Sequence, residues 1–189
     1  MNKILLIDNF DSFTHNIEHL IIKLGYEVET IRNDDFSIEY VDNFEKIIIS
    51  PGPGLPNETN QIIDVVQRYY KNKSILGICL GHQAISLAFQ GNLKNLSKVY
   101  HGVSSEITIL DSDEKIFRNL PKNIEVARYH SWAIDENNIG NGLKVTSTSE
   151  DGTIMSIKHE VYDIQGIQFH PESILTPHGE QIIKNWLEK

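Results

Sequence analysis

The chain is poor in cysteine, in cations and in long apolar runs. Its 189 residues carry one cysteine, Cys79. A single thiol forms no internal disulfide and builds no cysteine-based zinc site. Lys and Arg number 17 against 26 Asp and Glu, a formal charge of −9. An acidic surface repels phosphate backbones, which argues against nucleic acid or an anionic membrane as a partner. No apolar run approaches the ~18 residues of a membrane span. The start, Met1-Asn2-Lys3 and then four apolar residues, is too short for a signal peptide. The expectation is a cytoplasmic protein away from membranes. Glycine-rich phosphate loops are absent too. The first strand-to-helix turn, Asp8-Asn9-Phe10-Asp11-Ser12, has no glycine, so it is not a dinucleotide fingerprint.

What is present is ordinary globular composition, 40% hydrophobic and 23% charged, at a length that suits one domain over 1–189. The unbroken apolar run at 4–7 and the apolar-centred segment 46–50 read as strands covered on both faces, and 74–78 as a further strand. Residues 26–32 alternate as a wetter strand. Helical periodicity marks 12–24, capped by Asp11 or Ser12 and ended by Gly25. It also marks 58–71 and 81–90, the latter closed by Gly91. This β-α-β order implies a parallel sheet with right-handed crossovers. The second half reads as strands at 104–110, 124–129, 143–148, 153–159 and 163–169, with a hairpin turn at Asp151-Gly152. A last helix starts near Thr176-Pro177, with Thr as cap and Pro first. The fold class is α/β: one domain, a mostly parallel central sheet with helices on both faces, and an antiparallel extension.

His15-Asn16-Ile17-Glu18-His19 matches the metalloprotease pattern H-x-x-E-H. At 100° per residue, both histidines point away from the apolar face of Phe13, Ile17, Leu20, Ile21 and Leu24. They belong to a solvated helix face. Cys79 stands in a different context. Gly77-Ile78-Cys79-Leu80-Gly81 follows a strand and opens a helix, the arrangement of a nucleophile elbow. Flanking glycines permit the tight turn, and the helix N-terminus favours negative charge at the sulfur. A cysteine nucleophile needs a base, and the base an orienter. Of eight histidines, His170 ends a core strand, and Glu172 lies two residues on, across Pro171. Extended chain puts both on one side. Pro51-Gly52-Pro53-Gly54 is a stiff loop that can aim a backbone N–H at a developing oxyanion, with the Leu80 N–H as second donor.

Gly-Ile-Cys-Leu-Gly-His-Gln, Ser-Pro-Gly-Pro-Gly, Tyr-His-Ser and Phe-His-Pro-Glu-Ser, in this order and spacing, resemble the class I (triad-type) glutamine amidotransferases. The resemblance covers nearly the whole chain. The opening Leu-Ile-Asp-Asn-Phe-Asp-Ser-Phe-Thr is similar to the small subunits of anthranilate synthase and aminodeoxychorismate synthase. It implies a flavodoxin-like fold, and a triad of Cys79, His170 and Glu172. It implies glutamine contacts from Gly52, Pro53, Gly54, Leu80 and Gln83. The backbone of Ser131 and Trp132 would hold the α-amino and carboxylate ends of the substrate; Trp132 stands where the family pattern has leucine. The activity implied is hydrolysis of L-glutamine through a cysteine thioester, with ammonia passed to a chorismate-binding partner subunit that makes anthranilate. No cofactor is implied on this chain; magnesium belongs to the partner. The aminodeoxychorismate partner is the alternative. A free-standing cysteine hydrolase and a non-catalytic interaction module are the readings from other classes.

Overall fold

The computed structural model describes residues 3–188. Met1, Asn2 and Lys189, the ends of the expected domain, lie outside the described residues. The chain order is β1 (Ile4–Asp8), α1 (Thr14–Lys23), β2 (Val28–Arg32), β3 (Lys46–Ile49), α2 (Ile62–Tyr69), β4 (Ser74–Ile78) and α3 (Leu80–Ala88). Then come β5 (Leu93–Asn95), β6 (Val103–Ile109), β7 (Asn123–Arg128), β8 (Trp132–Ile134), β9 (Leu143–Ser149), β10 (Ile154–His159), β11 (Ile164–Ile167) and α4 (Gly179–Leu187). A nine-stranded sheet runs β2-β1-β3-β4-β11-β10-β9-β6-β7. The neighbours from β2 to β11 are parallel, and those from β11 to β7 antiparallel. The expected architecture is therefore observed.

Strand alternation sorts the core into two layers. Ile4, Leu6, Ile48, Leu76 and Ile78 face α1 and α4 through Ile17, Ile21, Ile182 and Trp186. Leu5, Ile7, Ile47, Ile49 and Ile75 face α2 and α3 through Ile62, Val66, Ala84 and Ile85. Because β1, β3, β4 and β11 are parallel, their carboxyl ends open on one edge, where reactive sites of open α/β sheets are built.

Several local expectations shift. The Thr176-Pro177 pair does not cap the last helix. Thr176 Oγ1 instead donates to the His170 carbonyl (2.7 Å) and accepts from the Ala127 N–H (3.0 Å), and α4 begins three residues later. Neither Asp11 nor Ser12 is the N-cap of α1; Phe13 holds that place, and Asp11 Oδ2 accepts the Phe13 N–H. Helix α3 ends at Ala88 with Phe89 as its C-cap, and the next residue, Gln90, takes the left-handed φ of +67° expected of Gly91. The Gln90 and Gly91 N–H groups bond to the Leu87 and Ser86 carbonyls and close the helix. Gly91 is needed for closeness, since a Cβ there would lie 2.7 Å from the Ile139 carbonyl. The short ribbon of β5 and β8 has no counterpart in the sequence pattern; three residues are too few for a period.

Trp186 anchors α4 and is fully buried, with Lys46 Nζ over its ring at 4.6 Å and on its carbonyl at 3.1 Å. Trp186→Ala is expected to cost about 3–5 kcal/mol, read as a lower urea midpoint. A change below ~1 kcal/mol would show that this layer collapses to fill the space.

Candidate active site

Strand β4 delivers Cys79 to the open edge. Its φ of +51° is rare for a residue with a side chain. The turn is possible because Gly77 and Gly81 lack Cβ atoms. A Cβ on Gly77 would lie 2.3 Å from the Gly81 carbonyl oxygen, and one on Gly81 would lie 2.4 Å from the Ile49 carbonyl oxygen. The Cys79 N–H bonds to the Ile167 carbonyl at 2.8 Å, and its carbonyl accepts from Gln83 at 3.1 Å. The cysteine is thereby pinned between β11 and α3.

Beyond β11 the chain bends through Gln168 and Phe169 to His170. Its Nδ1 lies 2.6 Å from Glu172 Oε1, and both side chains are buried. The imidazole is packed edge-on by Tyr129 (4.9 Å between ring centres) and Phe13 (6.1 Å). Nε2 is buried without a hydrogen bond of normal geometry. Burial pushes this histidine down, but the neighbouring Cys79 and Glu172 outweigh it and hold its pKa well above the ordinary value. With Glu172 on Nδ1, Nε2 is the nitrogen left to exchange a proton.

Beside the thiol lies a cavity of about 190 Å³ lined by Gly52, Pro53, Gly54, Cys79, Leu80, Gln83, Tyr129, His130, Ser131 and Trp132. That is the liquid volume of about six waters, the scale of one amino acid. Every expected substrate contact lines it, with Cys79 in the wall. Gly52 allows a close approach: a Cβ there would stand 2.6 Å from Asn9 Cβ and 2.8 Å from Leu80 Cδ2. Asn9 ties this loop down. Its side-chain amide donates to the Ser50 carbonyl (2.8 Å), its backbone N–H donates to Ser50 Oγ (2.9 Å), and its Oδ1 accepts from Asn33 (2.9 Å).

The Ser131–Trp132 backbone is narrower in capacity than expected. The Trp132 carbonyl already accepts from Gln83 (3.0 Å) and from His130 Nδ1 (2.9 Å), and the Ser131 carbonyl accepts from Leu96 (2.8 Å). His15 and His19 lie on the exposed face of α1, His15 beside Glu18 at 3.2 Å. Sequence reasoning does not reach Phe13, Tyr129, Arg128, His130 or Gln168 as members of the site. Only the position of Tyr129 and His130 just before Ser131, and of Gln168 two residues before His170, gives a signal; Phe13 and Arg128 have none.

The fold and this site define a glutamine-hydrolysing amidotransferase, and comparison with known proteins agrees. Residues 5–189 match the model of the family Glutamine amidotransferase class-I, and the chain belongs to that family. It is 43% identical to aminodeoxychorismate synthase component 2 of Escherichia coli over 188 residues, covering 98% of this chain and 100% of that one. It is 41% identical to anthranilate synthase component 2 of Saccharolobus solfataricus over 196 residues, covering all of both. Among solved structures it resembles a glutamine amidotransferase of Thermotoga maritima in fold, with TM-score 0.77 and 14% identity over 99% of this chain and 96% of that one.

Histidine burial sets a pH signature. Burial pushes His82 down to about 3 and His130 down to about 4. Both are neutral in the fold but bind protons when unfolded below about 6.5. Their contribution is complete above about pH 6.5 and falls as pH drops, by about 1.4 kcal/mol per pH unit for each histidine. His170 has the opposite sign: its raised folded pKa stabilises below about 6.5, and this is lost as pH climbs through the folded value. The histidine contribution to stability should therefore peak near about pH 6.5. Urea unfolding across acid, neutral and alkaline pH tests this: His170→Gln should flatten the alkaline limb only. An unchanged alkaline limb would refute the assignment.

Proposed function

We propose that this chain is the glutaminase subunit of anthranilate synthase. The observation that carries the proposal is Cys79 in the wall of the cavity, backed by the buried pair of His170 and Glu172. Cys79 attacks the side-chain amide carbon of L-glutamine. The N–H groups of the 52–54 loop and of Leu80 hold the tetrahedral oxyanion. His170 protonates the leaving nitrogen, ammonia departs, and a γ-glutamyl thioester remains on Cys79. A water deprotonated by His170 then releases glutamate, while Glu172 orients the imidazole. Gln83 spends both amide hydrogens on protein groups, so its Oε1 is the atom offered to the substrate. The Trp132 carbonyl has both lone pairs engaged, so the 131–132 segment meets glutamine through N–H groups and binds its carboxylate. No cofactor takes part on this chain; magnesium serves the partner.

Ammonia passes to a chorismate-binding large subunit that forms anthranilate. That partner covers the edge at the carboxyl ends of the parallel strands, since ammonia meeting bulk water there would be lost as ammonium. Phe10 is 50% exposed and Ile174 is 95% exposed, large apolar side chains that a covering partner would shield. His101 contacts the Tyr129 ring, which packs on His170, so pressure on the 98–102 segment reaches the imidazole. The similarity to both kinds of component 2 favours a second reading, service to the aminodeoxychorismate-forming partner.

Reconstitution distinguishes these. Cys79→Ser should lower glutamine-dependent synthesis by more than about 10³-fold, while ammonia-dependent synthesis by the partner continues. Pairing the chain with each of the two large subunits, and following product, names the acceptor. Glutamate release equal with and without either partner would favour a free-standing hydrolase. Within the triad, His170→Ala is expected to reduce turnover at least about tenfold more than Glu172→Gln. The reverse order would give Glu172, not His170, the proton-transfer role.

A further inference from the structure

The thiol of Cys79 has a partner outside the triad. Gln168 is fully buried, and its Nε2 lies 3.5 Å from Cys79 Sγ. The register makes this contact. Ile167 pairs with Ile78 across β11 and β4, so the next residue of each strand falls side by side at the open edge.

Which end of the Gln168 amide meets the sulfur follows from its neighbours. The Trp132 carbonyl is an acceptor only, so Gln83 must present nitrogen to it at 3.0 Å. That same nitrogen lies 3.2 Å from Gln168 Oε1, which is thereby fixed as the acceptor. Nitrogen is then the end of Gln168 that faces Sγ. The second partner of the Trp132 carbonyl agrees. Arg128 has donors only and its Nε lies 3.1 Å from His130 Nε2, so Nδ1 of His130 carries the hydrogen given to Trp132. A network of oriented donors joins Arg128 to the thiol, and every link has one allowed sense.

We propose that Gln168 is a further catalytic residue, whose side-chain amide donates to Cys79 Sγ and stabilises the thiolate. This rests on Cys79 being the nucleophile. A hydrogen bond to the charged form favours that form. The gain in thiolate fraction exceeds the loss in nucleophilicity, which changes by less than half as much per pKa unit. The bond also sets the direction of the sulfur. The orienting contact from Gln83 links the glutamine pocket to the nucleophile through two side chains.

The test reads the sulfur itself. Iodoacetamide alkylation of Cys79 is followed against pH in the wild-type chain and in Gln168→Met, which keeps length and volume but removes the donor. The midpoint should move to higher pH and the rate at neutral pH should fall about three- to tenfold, the scale of one hydrogen bond to a charged group less the compensating rise in nucleophilicity. Glutamine turnover should lose kcat with KM retained. The ionisable groups near the thiol include His170, with Glu172 on its Nδ1, and Tyr129 and His130, which line the same cavity. None is altered by the substitution, so a moved midpoint reports the amide. A purely structural Gln168 would lower thermal stability and leave the alkylation profile in place, which overturns the proposal. If Gln168→Met does not fold, the wild-type chain still decides: the Gln168 side-chain amide resonances should shift as the thiol titrates and should stop doing so after alkylation. Amide signals insensitive to both would overturn it. Alkylation requires no glutamine hydrolysis, so failure of the glutaminase reading leaves this readout intact.

Discussion

The left-handed turn at Cys79 is the constraint on which the rest of the molecule depends. Holding a cysteine at φ +51° costs on the order of 1–3 kcal/mol, and only an over-determined surrounding keeps it there. The surrounding is the centre of the sheet. Strand β4 is flanked by β3 and β11, the N–H of Cys79 is held by Ile167, and helix α3 presses so close that Gly81 lies against the Ile49 carbonyl. An edge strand would offer one neighbour and let the turn relax. Central placement, two glycines without Cβ atoms and a helix starting on the next residue are three aspects of one requirement.

Around the elbow the interior changes character. Away from the open edge, the two layers are filled mainly by Ile, Leu and Val. At the edge, buried Asn9, Asn33, Ser50, Gln83, Arg128, His130, Gln168 and His170 replace them. Apolar packing tolerates small rearrangement, whereas hydrogen-bonded groups in a low dielectric have discrete partners and directions. Arg128 shows the difference. Its guanidinium lies 3.5 Å from the centre of the Tyr100 ring and reaches Asp151 at 3.1 Å and His130 at 3.1 Å. A cation buried with that many partners holds the segment before Ser131 in one position, and Ser131 and Trp132 wall the cavity. The polar layer converts a stable sheet edge into a site with fixed donors and acceptors.

Legibility from sequence divides along the same line. Uninterrupted apolar strands, the Gly-x-Cys-x-Gly elbow and His170 with Glu172 are readable, because each is set by neighbours in sequence. The 3.6-residue and two-residue periods locate the four helices and most strands. Where distant segments decide, reading fails. Gln90 takes the left-handed φ, while Gly91 is packed against Ile139, 48 positions away. Thr176 looks like a helix cap until β7 and the His170 carbonyl claim its hydroxyl. Gln168 is one of many glutamines until the pairing of β11 with β4 sets it beside sulfur. Arg128 belongs by composition on a surface, and only its partners in space make it interior.

The same division explains why chains named for two acceptor pathways are nearly equally similar to this one. In the proposed mechanism glutamine hydrolysis is complete around Cys79, and none of the groups that perform it needs to meet the nitrogen acceptor. Specificity is a difference between partners, so it must reside where partners differ. In the proposed complex, the rim on this chain offers Phe10, with its left-handed φ of +61°, the exposed Val99, and the exposed Ile174 and Leu175. Phe10 lies three positions before Phe13, whose ring packs on His170, and Ile174 lies two positions after Glu172. The rim is therefore coupled to the triad by the shortest lengths of chain available. In the proposed complex, an acceptor protein seated there would meet Phe10 and Ile174, which lie within three residues of Phe13 and Glu172.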